Sequence, residues 1–132
     1  MNEQAKRIWL KRVLFVKVLL TFFMWGLPAL LAPEGFLNLF GLSVPADPTY
    51  LRLFGGVVTA FAVAYWFAYR DPVRNRAILL AGIVDNGLIT LTIVYLAATR
   101  GLESWFIGLS AVLTGIFFVS FIVLMPAAEP EA

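Results

Sequence analysis

The sequence contains no cysteine and no histidine. Without cysteine there can be no disulfide, no thiolate nucleophile, no cysteine-ligated iron–sulfur cluster and no thiol relay to a quinone. Without histidine there can be no imidazole-ligated haem, no histidine metal site and no histidine proton relay. These two absences exclude most redox roles, and the sequence therefore predicts no cofactor.

Charged residues are also scarce. They make up 14% of the 132 residues, against 61% hydrophobic residues, whereas an average soluble domain is about half apolar and about a quarter charged. The apolar residues come in blocks of about twenty, which is the length that crosses a hydrocarbon core of about 30 Å. We therefore expect a single all-α domain, a bundle of four transmembrane helices whose first partner is the lipid bilayer.

Prolines and charged residues set the limits of the predicted spans, which are residues 13–32, 51–69, 77–98 and 105–125. The first span follows a basic lead that resembles a signal peptide. Its apolar run is longer than a signal peptide needs, and Pro33 disfavours cleavage after Ala32, so a retained helix is predicted. Pro28, near the end of this span, is expected to bend it.

Residues 34–42 are apolar but too short to cross a membrane. Phe36, Leu37 and Phe40 would face lipid while Glu34 and Asn38 face water, which predicts a short interfacial or re-entrant helix between the first two spans. The alternative is a loop packed over the mouth of the bundle.

Lysine and arginine are distributed unevenly between the two ends of the predicted bundle. Two of them, Arg52 and Arg100, fall at one end, and eight fall at or near the other: Lys6, Arg7, Lys11, Arg12, Lys17, Arg70, Arg74 and Arg76. Positive charges are retained on the cytoplasmic side. Both termini, including Glu129 and Glu131, are therefore predicted to be cytoplasmic. The formal charge of +2 reports this topology, and no nucleic-acid partner is predicted.

Small residues at a spacing of four mark faces on which membrane helices approach closely. The second predicted span carries such a stripe, formed by Gly56, Ala60, Ala64 and Ala68. We expect it to build the bundle itself more than a dimer face, although a homo-oligomer stays open.

Asp85 is the most informative polar residue. It lies nine residues after Arg76, which places it about 13–14 Å into the membrane. An ionised carboxylate there costs at least about 2.5 kcal/mol, so it must be protonated, paired or facing a wet cavity. Asn86 and Thr90 could provide hydrogen bonds. As a cationic partner for Asp85, Lys17 is closer in depth than Arg52. The Lys17 side chain could instead snorkel to the headgroups.

Two interpretations of these polar residues stay open. In the functional one, Asp85 and Asn86, together with Lys17, form a site for a cation, a proton or a small headgroup. In the structural one, Asp85 only fixes helix orientation. Arg52, beside Gly55 and Gly56, could hold a phosphate or a carboxylate or could simply snorkel.

No catalytic arrangement is recognisable. The sequence has no nucleophile with a histidine base, no paired carboxylates on one helix, no glycine-rich phosphate loop and no metal-ligand cluster. The leading expectation is therefore a non-enzymatic accessory or scaffold subunit of a membrane complex, with a membrane-protein partner. The alternative is a small proton- or cation-coupled transporter or a lipid-handling protein that uses Asp85. A membrane enzyme acting on lipid or quinone is the least favoured hypothesis.

Three stretches carry a resemblance: Pro33-Glu-Gly-Phe-Leu-Asn-Leu-Phe-Gly-Leu42, Leu51-Arg-Leu-Phe-Gly-Gly56 and Tyr69-Arg-Asp-Pro-Val-Arg-Asn-Arg76. Over about three of the four spans the chain resembles uncharacterised bacterial four-helix membrane proteins of a DoxX-like or DUF4345-like type. This resemblance implies a four-helix bundle in a bacterial inner (cytoplasmic) membrane. It implies little about mechanism.

Overall fold

A computed structural model describes residues 2–127, and all regular secondary structure in this range is helical. The helices are α1 (Glu3–Leu31), α2 (Glu34–Leu39), α3 (Thr49–Arg70), α4 (Arg76–Arg100) and α5 (Trp105–Val123). All except α2 are long and apolar enough to cross a membrane. The predicted fold class, an all-α four-helix bundle, is confirmed, and the chain is a multi-pass membrane protein. Glu129 and Glu131 lie outside the described residues.

The first helix is longer than the predicted span because the basic lead is itself helical. The Asn2 side chain accepts a hydrogen bond of 2.8 Å from the backbone N–H of Ala5 and caps the helix, which satisfies one of the N–H groups that a helix start leaves free. We call the end of the bundle that holds Glu3 and the turn at residues 71–75 the N-terminal end. Its far end holds residues 32–48 and 101–104.

Pro28 changes the winding of α1 without ending the helix. Residues Leu20–Gly26 form a π-helical segment, and the N–H of Leu27 donates to the carbonyl of Phe22, five residues back. Proline lacks an N–H and clashes with the carbonyl four residues before it, so a wider turn ahead of Pro28 relieves the conflict. Pro28 then opens a last α-helical turn that reaches Leu31.

A helix does form in the predicted short segment, and it packs on the bundle. Leu37 of α2 is buried. The Phe40 ring, just after α2, lies 4.9 Å from the Phe106 ring and 5.7 Å from the Trp105 ring, between centroids. The segment therefore covers the far end of the bundle, as the loop alternative expected, while keeping helical structure.

The four long helices associate as two pairs, α1 with α3 and α4 with α5. In the first pair the backbones touch. A Cβ atom added at Gly55 would overlap the backbone of Leu30, and one added at Gly26 would lie 2.7 Å from the Thr59 hydroxyl oxygen. Glycine at these positions allows the close approach on which helix packing in lipid depends.

This contact face differs from the predicted stripe of small residues. Ala60 is exposed, and a Cβ at Gly56 would meet only the Leu30 side chain at 3.9 Å. The prediction was wrong for these two residues, since α3 is rotated so that Gly55 faces α1.

The two pairs join at the N-terminal end through a core to which all four long helices contribute. Its fully buried members include Leu10, Leu14, Tyr65, Leu79 and Phe121. Toward the far end the same helices leave a cavity between them. Lys17 and Asp85 lie where the packed core meets this cavity.

Candidate functional site

The cavity has a volume of about 320 Å³ and is bounded by α1, α3, α4, α5 and the α2 segment. Its lining is mostly aliphatic and aromatic. The polar residues in it are Lys17, Thr21, Trp25, Asp85, Ser110 and Thr114. This volume lies at the lower end of the range of about 300–1,000 Å³ found for small-molecule pockets. The cavity is therefore large enough for a small organic molecule.

Lys17 points into the bundle. The residue is only 3% exposed, and its Nζ donates a hydrogen bond of 2.7 Å to Oδ1 of Asn86. Three rings surround the same nitrogen at centroid distances of 4.7 Å (Phe117), 5.2 Å (Tyr65) and 5.3 Å (Trp25). Ring faces attract a cation at such distances. The expectation that Lys17 snorkels is therefore wrong, because an amide and an aromatic cage replace water around the ammonium group.

Asn86 is fully buried and is held in one orientation. Its Nδ2 donates to the Gly82 carbonyl at 2.6 Å and to the Tyr65 hydroxyl at 3.4 Å. These bonds use the donors of the amide and leave Oδ1 facing Lys17. Gly82 makes room for this arrangement, since a Cβ there would lie 2.8 Å from the Tyr65 hydroxyl oxygen.

Asp85 faces the cavity and accepts a hydrogen bond of 3.3 Å from the Tyr65 hydroxyl. Lys17 is not its ion-pair partner: in residues 2–127 the one ion pair within 4 Å joins Lys6 and Glu3. Successive residues on a helix are rotated by about 100°, so Asn86 faces Lys17 while Asp85 turns toward the cavity. Thr90 does not bond to Asp85 either, and lies 2.7 Å from Thr114 between the two hydroxyl oxygens.

Arg52 lies apart from this cluster. It is exposed near the start of α3 and does not line the cavity. The structure therefore brings together Lys17, Asp85 and Asn86 of the sequence-predicted residues and leaves Arg52 at the far end of the bundle.

Five site residues were missed by the sequence analysis: Thr21, Trp25, Tyr65, Ser110 and Thr114. Tyr65 joins Asn86 to Asp85, and Trp25 Nε1 donates to Ser110 Oγ at 2.9 Å, which links α1 to α5. Thr21 is 3% exposed, and its hydroxyl has no hydrogen-bond partner. One signal was available. Tyr65 lies five residues before Arg70, deeper than tyrosines of an interfacial belt lie.

Outside the long helices, Asp47 organises the start of α3. Its Oδ1 accepts hydrogen bonds from the backbone N–H of Thr49 at 3.0 Å and from the Thr49 hydroxyl at 2.6 Å. Both bonds favour the ionised carboxylate and hold the pKa of Asp47 below its usual value. The Asp47 carboxylate therefore fixes the turn that leads into α3.

The chemistry offered by the cavity is recognition of a polar group in an apolar setting. The end nearest the core carries an ammonium group, a carboxyl and an unpartnered hydroxyl, and apart from Trp25, Ser110 and Thr114 the remaining walls are apolar. In the described part of the chain no three histidine, cysteine, aspartate or glutamate residues come together as a metal site would require.

No protein-family model, curated protein or solved structure matches this chain. The resemblance to DoxX-like proteins therefore stays a prediction. Function has to be argued from the chemistry of the site.

Proposed function

We propose that this protein binds, within the membrane, a small and largely apolar molecule that carries one hydrogen-bond-accepting group such as a carboxylate or a carbonyl. The observation that carries the proposal is the buried Lys17 ammonium group in the wall of an apolar cavity of about 320 Å³. An ammonium group has three donors, and Asn86 accepts one of them. A ligand that enters the cavity can accept another.

Thr21 supports this assignment. It lies four residues after Lys17 on α1, and residues at this spacing share a helix face. Its buried hydroxyl has no partner in the protein, and leaving such a group unpaired costs about 1–3 kcal/mol. A ligand oxygen placed between Lys17 and Thr21 would satisfy both groups at once.

This proposal develops the lipid-handling alternative and moves its centre from Asp85 to Lys17. A scaffold role alone does not explain why a costly buried ammonium group lies in the wall of an apolar cavity, whereas ligand binding does. Asp85, which lines the same end of the cavity and is held by the Tyr65 hydroxyl, would add a second hydrogen-bonding edge for the polar group of the ligand.

We also propose that the protein lies in a bacterial inner membrane with its N-terminal end in the cytoplasm. The support is the asymmetry of lysine and arginine. Even with the buried Lys17 left out of the eight, seven positive residues fall at that end against two at the other, which is the pattern that orients membrane proteins.

The binding experiment compares three probes of similar length in lipid nanodiscs: decanoic acid, 2-undecanone and undecane. Because a hydrogen bond to a charged group contributes about 1.5–3 kcal/mol, the acid and the ketone should bind at least about tenfold more tightly than the hydrocarbon. Isothermal titration calorimetry gives the three affinities. Equal affinities would show that no polar group is recognised and would overturn the proposal.

Two variants locate the binding. Lys17→Met should remove the preference for the acid and the ketone, whereas Arg12→Met, a loss of the same charge on the same helix, should not. Val58→Phe should weaken all three probes by filling the cavity, and it serves if Lys17→Met does not fold. Undiminished binding to a folded Val58→Phe protein would place the probes elsewhere and refute the proposal.

A further inference from the structure

A second concave site lies at the N-terminal end, between the first turns of α1 and the turn that joins α3 to α4. It has a volume of about 290 Å³ and is separate from the cavity described above. Its walls, which we call the basic groove, are formed by Gln4, Arg7, Ile8, Lys11, Arg70, Asp71, Pro72 and Val73. Three of these residues are cationic and one is anionic.

The three cations converge on the groove from two elements. Arg7 and Lys11 are four residues apart on α1 and share a helix face, where like charges repel. Arg70 approaches from the other wall, as the last residue of α3. All three are exposed, so solvent screens their mutual repulsion in part, and a bound anion would relieve the rest.

The protein itself supplies little compensating negative charge. Within residues 2–127 none of the three cations forms an ion pair within 4 Å, the one such pair being Lys6 with Glu3. Asp71, the carboxylate of the groove, accepts a hydrogen bond of 3.1 Å from the backbone N–H of Arg74. Taking each side chain at its ordinary charge, the three cations and Asp71 give the groove a net charge of +2.

Membrane topology alone does not explain this convergence. Retention of positive charge on one side requires cations at this end but sets no relation among their side chains. Arg12 shows the contrast: it lies on the same helix, and its guanidinium stacks 5.0 Å from the centre of the Trp9 ring, away from the groove.

The remaining walls of the groove indicate an occupant that is part polar and part apolar. Ile8, Pro72 and Val73 place hydrocarbon beside the cations. The groove also lies where the long apolar helices end, at the level at which a bilayer presents its headgroups. A phospholipid matches both features, since its phosphate lies at the headgroup level and its acyl chains lie beside the apolar helices.

We propose that the basic groove is a binding site for the phosphate group of an anionic phospholipid. Arginine pairs with phosphate oxygens through two parallel N–H donors, and lysine contributes a point charge. The net charge of the groove favours a headgroup with a net negative charge over a zwitterionic one. The groove and the intramembrane cavity share no lining residue, so the two proposals stand or fall separately.

The test measures lipid bound to the purified full chain by native mass spectrometry in mild detergent, with phosphatidylglycerol and phosphatidylcholine supplied in equal amounts. The wild-type protein should retain phosphatidylglycerol in preference. Arg7→Gln combined with Lys11→Gln should lower its affinity by about tenfold or more, because each removes a charge-assisted contact. Arg12→Gln combined with Arg74→Gln removes the same charge outside the groove and should leave retention unchanged.

Three results would overturn the proposal. The first is equal retention of the two lipids by the wild-type protein. The second is an equal loss in the groove variant and the control variant, which would show attraction to charge in general. The third is displacement of phosphatidylglycerol by inorganic phosphate at the same concentration, which would make free phosphate the ligand. Circular dichroism and melting temperature confirm that the exposed substitutions leave the fold intact.

Discussion

The amino nitrogen of Lys17 donates to the side-chain oxygen of Asn86 at 2.7 Å, while the carboxylate of the adjacent Asp85 is not within ion-pair distance of it. A neutral amide thus holds the buried cation, and the carboxyl stays on the cavity wall. Because the ammonium group and the carboxyl are not in direct contact, both keep hydrogen-bonding capacity toward the cavity. In a closed salt bridge Lys17 and Asp85 would occupy each other's hydrogen-bonding groups, whereas here both remain able to bind a ligand.

A double-mutant cycle can measure how much more strongly Lys17 interacts with Asn86 than with Asp85. The pair Lys17→Met and Asn86→Leu should give a coupling energy of about 1–3 kcal/mol, as expected for a hydrogen bond to a charged group between residues in contact. The pair Lys17→Met and Asp85→Asn should give less than half of that. Unfolding in detergent micelles supplies the free energies, and a larger coupling to Asp85 would contradict the observed pairing.

Tyr65→Phe should weaken the site while keeping its shape. The substitution removes the hydroxyl that donates to Asp85 and accepts from Asn86, and the ring that faces Lys17 remains. Both bonds are long, so we expect a loss of about 0.5–1.5 kcal/mol in the free energy of unfolding. Tyr95→Phe is the matched control, since Tyr95 is 66% exposed. An equal effect of the two substitutions would argue against the network.

Adjacent glycines of α3 should respond differently to the same substitution. Gly55→Ala places a methyl group against the Leu30 backbone and should destabilise the protein by about 1–3 kcal/mol, the cost of overpacking. Gly56→Ala meets only a side chain at an ordinary distance and should be neutral or slightly stabilising, because alanine favours the helix. Thermal unfolding of the two variants decides whether Gly55 is the contact.

The orientation can be tested directly because the chain has no cysteine. Leu102→Cys and Ala127→Cys each introduce a single thiol at an exposed position, one at the far end and one at the end of the described chain. In intact cells a membrane-impermeant maleimide should label Leu102→Cys, whereas Ala127→Cys should react only after lysis. The reverse pattern would invert the proposed topology.

Asp47 should make the start of α3 sensitive to acid. Its folded-state pKa is lowered by the Thr49 hydrogen bonds, so its contribution to stability is present above the unfolded-state pKa and is lost as the pH falls through the lower folded-state value. The melting temperatures of the wild-type protein and Asp47→Ala should therefore differ at neutral pH and converge in acid. A difference that does not change with pH would show that the carboxylate is not responsible.

The sequence predicted the number and type of the long helices because hydropathy reports the length of chain that an apolar solvent can accept. It did not predict how each helix is rotated. In lipid the outward face is as apolar as the inward one, so no amphipathic period distinguishes Gly55 from Gly56. For Lys17 the sequence left snorkelling to the headgroups open for the same reason, and only the packing shows that its side chain points inward. Tyr65 was missed altogether.

Asp85 and Asn86 stood out in the sequence because polar residues in a span are costly and few. Which of the two faces Lys17 and which faces the cavity depends on how α4 is rotated, and the sequence does not predict that rotation. The π-helical segment of α1 was also beyond sequence reasoning, since only Pro28 hinted at an irregularity there.

That π-helical segment has a consequence for the alignment of side chains along α1. Four residues of an α-helix turn through about 400° and so overshoot a full circle by about 40°, and a row of residues at this spacing would wind away around the helix within three steps. Lys17, Thr21, Trp25 and Ala29 nevertheless all border one volume. The wider turn between Leu20 and Gly26 winds through fewer degrees per residue and so opposes this drift. One helix can thereby present an ammonium group, a hydroxyl and an indole ring to a single cavity.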